Sequence, residues 1–177
     1  NMSGKSTYIR QVALLVLLPV FAMAQVTVPP DADPRVAQIV AAVSEARLRT
    51  LDTTLVGFGT RESMSNTTSP TRGIGAARQW IFDELRRSSS RLQVSFDTHV
   101  IAPQGRFTRQ TELRNVMAVL PGRSPRRIYI SGHYDSLNLG SGGQQARNAP
   151  GGQNPQAGAD FDHDVEAPGA NDDGSGT

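Results

Sequence analysis

Residues 127–136 read RIYISGHYDS, and the fold prediction rests first on this segment. Three of its first four residues are apolar, which favours a short buried strand, and polar side chains follow at once. A second apolar run, VMAVL at residues 116–120, favours a strand that is buried on both faces. Because ligands of open α/β sheets bind beyond the carboxyl ends of strands, we expect His133 and Asp135 at a binding edge.

Helix and strand patterns precede this stretch. Asp33 followed by Pro34 is typical of a helix start, and apolar residues then recur at helical spacing through Val43. Further helices are predicted around Leu48–Leu55, ending at Gly57 or Gly59, and from Thr71 onward, with Arg86 and Arg87 near the C-terminal end. Alternating apolar and polar residues predict a strand over 92–100, and Arg61–Pro70 is predicted to be a polar loop. Helices followed by closely connected strands predict an α/β fold, a three-layer sandwich with a mixed β-sheet.

Composition narrows the possible chemistry. The chain has 177 residues and no cysteine, which excludes disulfides and thiolate metal sites. Residues 131–177 contain seven carboxylates, one arginine and two of the three histidines, a composition typical of a zinc or hard-cation site. The other arginines are scattered and are not interleaved with aromatic residues, so we expect no nucleic-acid surface.

The first 24 residues have the organisation of a secretory signal peptide. Lys5 and Arg10 are the positive region, residues 12–22 are the apolar region, and Ala22-Met23-Ala24 is a cleavage site before Gln25. The sequence therefore predicts a secreted or periplasmic protein. The apolar run is too short for a stable membrane span.

A phosphate-binding loop is the alternative interpretation of the same segment. Residues 1–7, NMSGKST, are the second half of a Walker A motif, and Asn1–Leu15 closely resembles the Walker A segment of the MutS mismatch-repair ATPases. The likeness would make Lys5 a phosphate ligand. The first glycine of the motif and the strand before it are not in the sequence, so the alternative is a P-loop ATPase remnant.

A second polar motif follows a long loop. Residues 137–168 are rich in Gly, Gln, Asn and Pro, and we interpret this loop as the rim of an active site. Residues 167–176, APGANDDGSG, form a glycine-rich turn that would present one carboxylate to a cation while the next caps a helix. In the first motif, Asp135 could accept a hydrogen bond from His133 and so orient it as a ligand. From spacing alone, a surface turn with a capping aspartate remains the alternative.

Together, residues 127–136 and 167–177 closely resemble the paired motifs of the M28 family of zinc aminopeptidases and related metallopeptidases. The resemblance implies a zinc-exopeptidase-like fold and a site with two zinc ions. By this likeness His133 is a zinc ligand, Asp172 is the carboxylate that bridges the two ions, and Asp135 is the catalytic acidic residue behind His133. His163 matches no family position and is interpreted as a loop residue.

The resemblance also implies a domain organisation. Residues 25–177 would be the N-terminal portion of a peptidase domain that is incomplete at its C-terminus, because the family's remaining ligands and its general base follow the second motif. We therefore expect zinc-dependent hydrolysis of peptide substrates, aminopeptidase-like, from the full-length protein and none from this fragment. A non-catalytic binding module on the same fold is a further alternative.

Overall fold

The computed structural model describes residues 33–137 and 162–174. The chain forms two compact units, residues 1–44 and residues 45–177. The predicted signal peptide, the Walker A-like segment and most of the predicted rim loop lie outside the described residues. In the described segments, no helix combines the length and apolar character needed to cross a membrane.

In the first unit, helix α1 spans Pro34–Ala41. The Oδ1 atom of Asp33 accepts a 2.8 Å hydrogen bond from the backbone N–H of Arg35. This bond satisfies one of the N–H groups that have no partner within the helix, and Pro34 occupies a position where no N–H is needed. The predicted cap and helix are confirmed.

In the second unit, two helices come before two strands. Helix α2 spans Glu45–Gly57 and helix α3 spans Gly73–Ser88. Strands β1, Gln93–Ile101, and β2, Thr111–Val119, pair antiparallel, and a π-helical turn follows at Ala170–Gly174. The structure therefore confirms an α/β fold. The three-layer sandwich with a mixed sheet stays a prediction, because the described sheet has two antiparallel strands.

The core of this unit lies where α2 and α3 meet. Its buried apolar residues and the two half-buried side chains packed on them are Leu55, Phe58, Ala76, Ala77, Trp80 and Ile81. Helix α3 supplies four of the six, as expected for an amphipathic helix. Stacking of Phe82 on Phe96, with ring centroids 4.6 Å apart, joins α3 to the sheet.

The predicted burial of the two apolar runs is wrong. Residues 127–130 form no strand, and Ile128 and Ile130 are 91% and 96% exposed. Residues 116–119 of the second run do lie in β2, but Met117 and Leu120 are exposed. A strand is buried on both faces only when layers cover both faces, and among the described residues β2 pairs with β1 alone.

Candidate metal centre

His133 makes contacts through both ring nitrogens. Its Nδ1 atom lies 3.2 Å from the Oδ1 atom of Asp135 and 3.2 Å from the backbone carbonyl oxygen of the same residue. Its Nε2 atom lies 3.5 Å from the Oδ1 atom of Asp172. A proton on Nδ1 can be donated to Asp135, which leaves Nε2 as the unprotonated nitrogen that faces Asp172.

The separation of these two donor atoms fits one zinc ion. Zinc bonds to nitrogen and oxygen are about 2.0–2.2 Å, so two donors at a tetrahedral angle lie about 3.4 Å apart. The 3.5 Å between His133 Nε2 and Asp172 Oδ1 is close to that value. The carboxylate on the opposite ring nitrogen is the usual orienting partner of a zinc-bound histidine.

Asp135 is itself held by the segment before α3 and by the β1–β2 connection. Its Oδ2 atom accepts a 3.1 Å hydrogen bond from the hydroxyl of Ser63 and lies 3.7 Å from Nη2 of Arg106. Arg106 also donates to the Ser63 hydroxyl, at 3.1 Å. These contacts fix the carboxylate that orients His133, and they place a positive charge beside it.

Asp172 lies on the π-helical turn. The turn is closed by a 2.9 Å hydrogen bond from the N–H of Gly174 to the carbonyl of Gly169, whose φ of +54° favours glycine. The Asp172 side chain is 75% exposed, which leaves its carboxylate accessible to a cation. The side chain of Asp173, predicted to cap a helix, lies outside the described part of the structure.

The structure thus brings together the three residues predicted from the sequence. Across residues 33–137 and 162–174, no group of three or more His, Asp or Glu side chains surrounds a common point. His133 and Asp172 are therefore two ligand candidates, and Asp135 touches the first of them. Their functional roles stay predictions.

His163 lies in a turn but is buried. It is 7% exposed, and its Nδ1 atom lies 3.0 Å from Oε2 of Glu62, which is 1% exposed. The same oxygen accepts a 2.7 Å hydrogen bond from the backbone N–H of Met64. The contact between His163 and Glu62 joins the residues just before the second motif to the segment after α2. It is not part of the His133 site.

The segment 60–65 is the part of the site that the sequence analysis missed. Residues 61–65 were predicted to begin a polar loop, but the whole segment is almost completely buried. Arg61 contacts both site motifs, Ser63 contacts Asp135, and the backbone of Ala167 pairs with Thr60 in a parallel bridge. Polar residue types alone gave no signal that distinguishes this buried connection from a solvated one.

A groove of about 640 Å³ lies between α2 and α3. Leucines of both helices line it together with Trp80 and Ile81, and charged side chains surround them. His133, Asp135 and Asp172 do not line this groove. The groove does reach the turn that carries Asp172, because Gly174 is one of its lining residues.

Known proteins similar to this chain are described as probable zinc metalloproteases. A probable zinc metalloprotease of Pyricularia oryzae is 38% identical over 153 residues, which cover 83% of this chain and 26% of that relative. Similar proteins of the same description from Leptosphaeria maculans and Pyrenophora teres are 34% and 33% identical over 156 residues, covering 85% of this chain. The chain spans 32% and 28% of those two relatives.

No solved structure matches the chain. The sequence profile of Peptidase family M28 matches residues 115–177, a range that includes both polar motifs. The predicted resemblance to the M28 family is therefore confirmed, while the likeness of residues 1–15 to MutS is untested. The segment that carries His133, Asp135 and Asp172 is thus the part of the chain that matches Peptidase family M28.

Proposed function

We propose that the full-length gene product hydrolyses peptide bonds with bound zinc and acts as an aminopeptidase. The observation that carries this proposal is the geometry of His133, with Asp135 on one ring nitrogen and Asp172 3.5 Å from the other. The family match and the names of the similar proteins support the same chemistry. Peptides are the substrate class that this chemistry implies.

Each of the three residues has a distinct role in this proposal. His133 binds the metal through Nε2, and Asp135 keeps the proton on Nδ1 so that Nε2 stays a ligand. Asp172 would bind through its exposed carboxylate, and by the family resemblance it would be shared by the two ions. Zinc, when bound, would supply a Lewis acid for the substrate carbonyl and lower the pKa of water.

The decisive experiment measures zinc content and peptidase rate together in the full-length protein. His133→Ala and Asp172→Ala should each lose bound zinc and most activity, because each removes a direct ligand. Asp135→Asn should lower affinity or activity about 10–100-fold, because it acts through His133. His99→Ala is the matched control, since His99 is exposed and its Nε2 atom contacts Asp97. Zinc and rate that survive His133→Ala would refute the site.

Two further measurements test the finer parts of the proposal. The wild-type protein should bind two zinc ions for each chain, and a content of one would contradict the bridging role of Asp172. An aminopeptidase should cleave an amino-acid anilide with a free amino group and leave its N-acetylated form intact. Equal cleavage of both would leave a peptidase but exclude an aminopeptidase.

A further inference from the structure

Arg61 is a fully buried arginine, 0% exposed, that binds backbone carbonyl oxygens of three separate segments. Its Nε atom donates to Tyr134 at 2.6 Å. Its Nη1 atom donates to Leu55 at 2.9 Å and to Pro168 at 2.6 Å, and its Nη2 atom donates to Gly169 at 2.9 Å. One guanidinium therefore joins the end of α2 to both polar motifs.

The bonded carbonyls lie next to the predicted metal ligands. Tyr134 stands between His133 and Asp135, and Gly169 begins the turn that carries Asp172. A guanidinium presents its N–H groups in one rigid plane, so it fixes several acceptors relative to one another. A lysine ammonium in the same place keeps the charge but cannot reproduce that planar set of bonds.

Ser136 makes a second connection between the same segments. Its hydroxyl accepts a 2.8 Å hydrogen bond from the backbone N–H of Arg61 and donates a 2.6 Å bond to the carbonyl of Ala167. Its own N–H donates to the Arg61 carbonyl at 3.1 Å. Because Ser136 is only 3% exposed, these hydrogen bonds are shielded from competing water.

The two motifs are about thirty residues apart in sequence, so nothing local sets the distance between His133 and Asp172. The side chains of both residues are more than half exposed. Their separation must therefore be set by the backbone beneath them, and Arg61 and Ser136 bond to that backbone on both sides. We call Arg61 and Ser136 together the Arg61–Ser136 bridge.

We propose that Arg61, together with Ser136, is a positioning residue that holds the two metal-binding motifs at the separation zinc requires. This inference rests on the proposed function. It assigns Arg61 no contact with substrate or metal. The bridge lowers the cost of zinc binding because the ligands are already in place before the ion arrives.

The test measures the zinc dissociation constant of the full-length protein by competition with a chromophoric chelator. Arg61→Lys should weaken zinc binding about 10–100-fold, the range typical of residues that support metal ligands. Ser136→Ala, a milder change, should weaken it about 2–10-fold, because it removes neutral hydrogen bonds. Substituting cobalt for zinc should give an altered visible spectrum in Arg61→Lys.

Arg78→Lys is the matched control. Arg78 is also buried, at 6% exposed, but it donates to Glu112 on β2 at 3.2 Å. General destabilisation should lower the melting temperature of both lysine variants, whereas only Arg61→Lys should change zinc affinity and the cobalt spectrum. In zinc-free protein, backbone amides of residues 133–136 and 169–174 should exchange hydrogen faster in Arg61→Lys and Ser136→Ala than in the control.

The outcomes separate this inference from the proposed function. If the wild-type protein binds no zinc, the proposed function fails and the inference fails with it. If the wild type binds zinc and both bridge variants keep its affinity and its exchange rates, the inference alone is overturned. Should Arg61→Lys not fold, unchanged affinity in Ser136→Ala is enough to reject the bridge.

Discussion

Gly169 occupies a position that no other residue fits without strain. Its φ is +54°, and a Cβ atom there would lie 2.6 Å from the Cβ of Ser136 and 2.7 Å from the carbonyl oxygen of Asp172. Alanine in the left-handed region costs about 1–2 kcal/mol, and crowding a packed site costs about 1–3 kcal/mol more. Gly169→Ala should therefore lower both the free energy of unfolding and zinc affinity, measured by urea unfolding and by zinc titration.

Gly105 provides the matched control for this substitution. It has the same φ of +54°, but nothing lies within 4 Å of a Cβ placed there. Gly105→Ala should cost only the backbone strain of about 1–2 kcal/mol and leave zinc affinity unchanged. Equal effects of the two substitutions on zinc affinity would show that crowding at Ser136 and Asp172 does not matter.

The residues of the site differ in how predictable they were. His133, Asp135 and Asp172 belong to compact polar motifs that follow or contain glycines, and such motifs are visible in a single sequence. Arg61 was not predictable, because the carbonyls of Tyr134 and Gly169 that it binds are far away in sequence, and a backbone carbonyl is the same in every residue type. A buried arginine whose guanidinium donates to distant main-chain carbonyls looks in sequence like any solvated loop arginine.

At the scale of elements, α3 begins against the backbone of the preceding segment. Its first amides donate to the carbonyls of Phe58 and Asn66, and a Cβ at Gly75 would lie 2.3 Å from the carbonyl oxygen of Thr67. Where a helical glycine has free space around it, Gly→Ala stabilises the fold. At Gly75 the added Cβ would collide with the backbone of Thr67, and that backbone would have to move. Gly75→Ala should destabilise the protein by about 1–3 kcal/mol in urea unfolding.

Gly57 at the end of α2 is the control for that prediction. A Cβ there meets nothing within 4 Å, so Gly57→Ala should be neutral or stabilise by up to about 1 kcal/mol. If Gly75→Ala stabilised as much as Gly57→Ala, the close contact between α3 and Thr67 would be wrong. Comparing the stability of Gly75→Ala with that of Gly57→Ala therefore separates the effect of helix propensity from the effect of packing.

Glu112 connects β2 to α3 and gives the fold a pH dependence. The hydrogen bond from Arg114, with the nearby charge of Arg78, lowers the pKa of Glu112 below its ordinary value of 4.5. A lowered pKa stabilises the fold above the ordinary value, and this contribution is lost as pH falls through the lowered pKa. Because Glu112 is 37% exposed, Glu112→Gln should cost under about 1 kcal/mol at neutral pH.

The measurement for Glu112 compares wild-type and variant unfolding in urea from neutral pH downward. The difference in free energy of unfolding should shrink once pH falls below 4.5 and disappear when the carboxyl is protonated in both states. A difference that stays constant with pH would mean that packing, rather than charge, is what Glu112 contributes.

Local sequence signals predicted most of the helices and strands, but they did not predict which strands are buried. The cap at Asp33 and the glycine at the end of α2 marked helix ends, because these residues act on the backbone beside them. The run at 127–130 was assigned a buried strand on residue type alone. Whether a strand is buried depends on neighbouring strands and layers, which residue type does not specify.

At the scale of the whole molecule, the sequence predicted the class and the family more completely than the architecture. An α/β fold follows from the order of helix and strand patterns, and the family match follows from two short motifs. The three-layer arrangement depends on which strands pair, and that is a property of distant contacts. The site depends on the same contacts, since residues 59–63 must reach both motifs before His133 can face Asp172.

Export is the remaining prediction at this scale, and it concerns residues 1–24. Lys5 and Arg10, the apolar run at 12–22 and Ala22-Met23-Ala24 predict cleavage before Gln25, which would place the mature protein in the periplasm or outside the cell. Mass spectrometry of protein recovered outside the cytoplasm should find a chain that begins near Gln25, and the Ala24→Arg variant should remain as the uncleaved precursor.

The rival Walker A interpretation needs Lys5 in the working protein, because that lysine would contact phosphate. A chain that keeps Lys5 and binds ATP with Mg²⁺, and loses this binding in Lys5→Ala, would contradict export and support a nucleotide site. Cleavage before Gln25 removes Lys5 and so excludes nucleotide binding by this motif in the mature protein.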